Sequence, residues 1–149
     1  MTTIRNYINL IESYETETTY PFTWNEKTIL WTNGNFYIAS GNSENTYLTL
    51  WTDDNKHIGT LSSTLITHRN KQTDKLEKRK KIDSVIIDKK YQGQSLGKQF
   101  YIELLKWSSD DIVGIYSYLP QRSNYKQVPN IYQRMNGYIV DGDHAYIDR

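Results

Sequence analysis

Cysteine is absent from the 149 residues, which excludes disulfides, thiolate metal sites and a cysteine nucleophile together. Long apolar runs are absent too. No stretch approaches the ~20 residues of a membrane span, and Met1-Thr2-Thr3-Ile4-Arg5-Asn6 lacks the basic-then-apolar order of a secretory leader. Net charge is only +1, so no whole-molecule attraction to nucleic acid or membrane is indicated. Apolar residues reach just 37%, below the usual globular share, but 13 tyrosines supply large apolar faces with polar tips. These bounds predict one cytoplasmic domain spanning 1–149, with no metal cofactor. Heavy use of Ile, Lys, Asn and Tyr suits an AT-rich genome, that of a low-GC bacterium or its phage, in which case the location is the host cytoplasm.

Along the chain, Ile4, Tyr7, Ile8 and Ile11 fall at helical spacing, predicting a short amphipathic helix over 3–15. Thr28–Trp31 and Asn35–Ala39 flank Asn33-Gly34, a hairpin signal. A second hairpin joins Leu48–Trp51 to Ile58–Ile66 around Asp53-Asp54-Asn55. Residues 68–81 then lose all periodicity and carry the chain's one basic run, which reads as a solvated hairpin loop with its last lysines inside the next strand. Ile82–Ile87 reads as a buried strand, Lys98–Trp107 as a helix burying Phe100 and Leu104, and Ile112–Tyr118 as another strand. After a polar connection from Pro120 to Pro129, a short helix runs to Met135, and a closing strand or hairpin turns at Asp141-Gly142-Asp143.

The turn between Ile87 and Lys98 is the chemically suggestive segment. A strand feeding a glycine-containing turn that opens a helix makes a ready anion site, because the first helical N–H groups lack partners and the dipole favours negative charge there. Two phosphate loops are excluded. A P-loop needs one more residue between Gly93 and Gly97-Lys98 and a hydroxyl where Gln99 stands, and no Gly-x-Gly-x-x-Gly triplet exists for a dinucleotide.

Gln92-Gly93-Gln94-Ser95-Leu96-Gly97 resembles the acyl-CoA loop, Gln/Arg-x-x-Gly-x-Gly/Ala, of the GNAT superfamily of N-acetyltransferases. Ser95 stands where the family has its middle glycine. Ile87-Asp88-Lys89-Lys90-Tyr91 resembles the usual lead-in, and Ile131-Tyr132-Gln133-Arg134-Met135-Asn136-Gly137-Tyr138 resembles the late tyrosine block. The resemblance covers about residues 47–149, leaving 1–45 as a divergent N-terminal part in which helix-then-hairpin replaces strand-helix-helix. It implies an α+β domain with a central mixed, mostly antiparallel twisted sheet and helices on both faces. It also implies a cleft where Ile82–Asp88 and Ile112–Tyr118 splay apart.

The resemblance further implies acetyl-CoA as co-substrate. Gln92, Gly93, Gln94, Ser95, Leu96, Gly97 and Lys98 would wrap its pyrophosphate, and Val85 and Ile87 would offer backbone groups to the pantetheine. The family's asparagine seven residues before the tyrosine falls at Tyr125, with Asn124 adjacent as the cofactor-binding candidate. Tyr132 would protonate the departing thiolate. An amine of pKa ~10.4 costs ~4.6 kcal/mol to deprotonate at pH 7, so a base is needed. Asp83, near positions where the family carries glutamate, is the candidate, and His57, His68 and His144 are further ones.

Three functions are consistent with this reading. The first is an N-acetyltransferase acting on an amine, small-molecule or protein. The second is an inactive binding module on the same fold. The third is a phage-type transferase modifying nucleic acid, motivated only by 68–81.

Overall fold

The computed structural model describes residues 3–14, 17–119 and 128–149, and its centre is one nine-stranded sheet. The strands are β1 Phe22–Trp24, β2 Lys27–Thr32, β3 Phe36–Ser40, β4 Tyr47–Thr52, β5 His57–Arg69, β6 Leu76–Ile87, β7 Gly114–Tyr118, β8 Tyr138–Val140 and β9 His144–Asp148. The helices are α1 Ile4–Glu12, α2 Leu96–Lys106 and α3 Val128–Arg134. The spatial order is β1-β2-β3-β4-β5-β6-β7-β9-β8, antiparallel throughout except where β6 meets β7. The expected mixed, mostly antiparallel sheet is therefore present. Among the described residues no helix is long and apolar enough to cross a membrane.

Strand alternation sorts side chains onto two faces. Phe36, Ile38, Leu48, Leu50, Leu61 and Ile115 point towards α2 and α3 and form the main core with Leu96, Phe100 and Leu104. Burying each such side chain stabilises the fold by roughly 1.5–3 kcal/mol. Tyr37, Ala39 and Ile29 point the other way and are covered by Ile4, Tyr7 and Ile8 of α1. The predicted amphipathic helix thus closes the opposite face, capped by Thr3, whose hydroxyl accepts the Asn6 N–H at 3.1 Å. Strand β1 was not foreseen; it is only three residues long, below the length at which alternation becomes legible.

The predicted loop over 68–81 is corrected. β5 continues to Arg69 and β6 begins at Leu76, with His68 opposite Glu77 and Ile66 opposite Arg79. Polar pairing holds this extension where apolar burial does not. Arg79, 1% exposed, donates to Glu77 at 3.0 Å, to Asp148 at 2.5 Å and to the carbonyls of Ile115 and Ile147. Its guanidinium also lies over the Tyr146 ring at 5.0 Å. Gly114 makes this possible, since a Cβ there would meet Ile147 O at 2.1 Å and Arg79 Nη1 at 2.7 Å.

The sheet forks where the family resemblance implied. β6 and β7 pair only from Arg79–Gly114 to Lys81–Tyr116; beyond that, Ile82–Ile87 stays with β5 while β7 departs with β9.

Candidate functional site

The turn after β6 leaves its main chain open. A 3₁₀ turn, Lys89–Tyr91, follows the strand, and Gln92 Nε2 donates to Ile87 O at 2.9 Å, folding the segment back on its own strand. Gly93 and Ser95 both take positive φ, 85° and 61°. Helix α2 then starts at Leu96, which is buried and anchors it, and its first internal bond runs from Gln99 N–H to Ser95 O at 3.1 Å. The six N–H groups from Gly93 to Lys98 find no acceptor among the described residues. A Cβ built on Gly93 meets none of the described residues within 4 Å. Consecutive unpaired N–H groups at a helix start fit a diphosphate.

Ser95 occupies a position that needs left-handed backbone, which explains why glycine is expected there. Its hydroxyl makes no capping bond. Gly97 is less constrained, since a Cβ would touch Ile131 Cδ1 at 3.7 Å and Ile87 Cδ1 at 3.8 Å, ordinary contacts. Those neighbours tie the turn to α3.

Tyr132 of α3 is fully buried, packed against Tyr101 of α2 with ring centroids 6.1 Å apart. Its hydroxyl donates to Ser117 Oγ, one residue past the last β6–β7 pair, which places it at the fork. Burial, reinforced by Tyr101, pushes its pKa well above the ordinary tyrosine value, and burial raises that of Tyr101 to about 12. Tyr132 is therefore a protonated donor at neutral pH and not a base. Helix α3 ends with Asn136 in left-handed backbone and with Gly137 N–H on Tyr132 O at 2.7 Å. A Cβ at Gly137 would meet Tyr146 O at 2.4 Å, so this glycine also seats the helix against β9.

Val85 and Ile87 face the α2 side and pack against the main core. Asp83 lies at the β5–β6 bulge, exposed, and accepts from Thr64 Oγ1 at 2.6 Å. The helix side of the sheet holds Tyr132 and the other face holds Asp83, so no bond joins the two. Asn124 lies outside the described residues. Within the basic run Arg79 and Lys80 are buried, 1% and 4% exposed, and Lys78 pairs with Asp111 at 2.9 Å, whereas Arg69, Lys71 and Lys75 are exposed. Cavities of about 420 and 490 Å³ lie by Trp107 at the far end of α2 and include none of the predicted site residues. Among the described residues no group of three His, Asp or Glu could hold a metal ion.

Ser117 was missed in the sequence because nothing distinguishes it until β7 brings it to Tyr132. Tyr116 was missed likewise. On the face opposite Tyr132 it bonds His144 Nδ1 through its hydroxyl at 2.7 Å.

The sequence profile of the acetyltransferase (GNAT) family matches residues 8–138, and the chain belongs to that family. No curated protein matches the chain in sequence. Among solved structures, PH1933 from Pyrococcus horikoshii OT3 aligns with TM-score 0.53 at 16% identity, over 70% of this chain and 65% of that one. A mutant of the AtaT toxin bound to the C-terminus of the antitoxin AtaR gives 0.53 at 11%, over 68% and 66%. A KacTA–DNA complex gives 0.50 at 15%, over 74% and 67%. The chain thus spans about two thirds of the length of these proteins, and the likeness is one of fold.

Proposed function

We propose that the protein moves an acetyl group from acetyl-CoA to a primary amine by direct attack. The observation that carries this is the run of unpaired N–H groups from Gly93 to Lys98 beside a fork at which Tyr132 presents a protonated hydroxyl. In this reading the turn from Gln92 to Lys98 grips the diphosphate. The open edge of β6 at Val85 and Ile87 lies along the pantetheine, although the Ile87 carbonyl is already taken by Gln92. Tyr132 leaves Ser117 and protonates the sulfur as the C–S bond breaks. Positioning amine against thioester supplies most of the acceleration. Asp83, exposed on the other face of the fork, is a carboxylate able to attract an ammonium.

Acetyl-CoA at a hundred times its Kd is expected to stabilise the fold by about 2.7 kcal/mol, readable as a shift in Tm. Tyr132→Phe is expected to cut CoA release about 100-fold while acetyl-CoA affinity, measured by calorimetry, stays within twofold. No thermal shift with acetyl-CoA would end the proposal.

A further inference from the structure

The face of β5–β9 opposite α2 carries a cluster that the acetyl-transfer reading leaves unused. Tyr116, at the last β6–β7 pair, bonds His144 Nδ1 at 2.7 Å, and His144 Nε2 stands 3.5 Å from Asp143 Oδ1. That carboxylate oxygen is buried and has no hydrogen-bond partner among the described residues. The side chains of His144 and Asp143 are only 17% and 18% exposed. Leu119 N–H donates to Asp143 O at 2.6 Å, so the end of β7 and the β8–β9 turn are locked together around the three. Tyr116 is adjacent in sequence to Ser117, the partner of Tyr132 on the other face.

We infer that Tyr116, His144 and Asp143 form the relay that takes the proton from the incoming amine; this rests on the acetyl-transfer reading. The arrangement has the logic of a carboxylate orienting an imidazole that withdraws a hydroxyl proton. An ammonium gives one proton to Tyr116 Oη as the Tyr116 proton passes to His144 Nδ1. The imidazolium so formed directs its Nε2–H at the unpartnered oxygen of Asp143. The freed nitrogen lone pair attacks the thioester carbon, a C–N bond forms, and the C–S bond breaks with its electron pair on sulfur. Tyr132 protonates that sulfur and is restored by the second proton leaving nitrogen. The net release to solvent is the one proton that His144 held.

Asp83 is the competing acceptor, and two facts rank it second. It is exposed, and its carboxylate is already engaged by Thr64. Burial pushes the Tyr116 pKa up to about 12, so the hydroxyl stays protonated until the imidazole draws on it. The groups facing His144 are Asp143 before it, Tyr116 and Tyr118 on β7, and His68 on β5 at 6.3 Å between rings. Burial holds the His68 pKa down, assisted by His144, Lys71 and Arg79, so His68 enters neutral and adds no charge. In this relay Tyr116 is catalytic, and His144 and Asp143 position and assist it.

The test is CoA release from acetyl-CoA, with n-butylamine and with water as acceptors, followed from pH 5 to 10 for the intact protein, His144→Gln and Asp143→Asn. His144→Gln is expected to lose about 100-fold in kcat at pH 7 and to regain about tenfold per pH unit as the free amine accumulates. The acidic limb of the rate profile should flatten, with acetyl-CoA affinity unchanged as the control for folding. Asp143→Asn should lose less and shift that limb downward. A variant at position 144 with an unaltered rate and pH profile would overturn the relay, as would an intact protein that binds acetyl-CoA but releases CoA to neither acceptor. Failure of the intact protein to bind acetyl-CoA would instead remove the acetyl-transfer reading beneath it.

Discussion

Two polar turns flank strand β6, and they treat their backbones in opposite ways. The turn before it, Asn70 to Lys75, closes on itself. Asn70 Oδ1 accepts from Gln72 and Thr73, its Nδ2 donates to Glu77 and Tyr138, and its main chain bonds Lys75 and Asp74. The turn after it, Gln92 to Lys98, leaves six consecutive N–H groups without an acceptor among the described residues. Both are exposed, glycine- or asparagine-bearing connections of similar length. A turn that satisfies itself holds structure, whereas one held open by a buried anchor at Leu96 keeps its donors for something else.

Breaking the closed turn should give the largest effect. Asn70→Ala removes four side-chain hydrogen bonds at a site 1% exposed, and the expected loss is ~2–3 kcal/mol. Urea denaturation measures it, and acetyl-CoA affinity per folded molecule should not change.

Glu103 of α2 sharpens the contrast, since its Oε2 also lacks a partner among the described residues but the residue is buried, 1% exposed. Burial raises its pKa, and neither Lys106 nor the nearby Trp107 indole, which lacks hydrogen-bond geometry, reverses this. A carboxyl whose folded pKa is raised contributes stability below its unfolded value and loses it as pH rises through the folded one. Glu103→Gln should therefore stabilise by ~1–2 kcal/mol at pH 8 and by nearly nothing at pH 4. An equal gain at both pH values would show that ionisation of Glu103 is not its cause.

The open turn itself should respond in two directions. Gly93→Ala puts a Cβ on the turn at φ 85°, so acetyl-CoA affinity should fall about tenfold while the protein alone loses ~1 kcal/mol. Ser95→Gly relieves the left-handed strain at φ 61° and should stabilise by somewhat under ~1 kcal/mol. Scanning calorimetry with and without acetyl-CoA separates these two effects.

Much of this was legible in the residues because the relevant patterns are local. Helix α2 announces itself by Phe100, Leu104 and Trp107 at helical spacing, although it begins at Leu96, two residues before the expected start, and the β8–β9 hairpin by Asp141-Gly142. The basic stretch from 68 to 81 was misread for a physical reason. Its strands are held by Arg79, Glu77, Asp148 and a ring contact to Tyr146, partners up to 69 residues apart, so no apolar period marks them. The partnership of Tyr132 with Ser117 and that of His144 with Tyr116 were invisible in the same way.

The linear order of residues therefore determined the class of domain, the glycine-containing turn that opens α2 and the short helix that carries Tyr132, because each depends on neighbours within a few positions. Tertiary structure alone decided which donors stayed unpaired, which cations were buried and which hydroxyls meet at the fork. Those outcomes depend on strands that are distant along the chain but less than 5 Å apart in the sheet, roughly one ladder spacing.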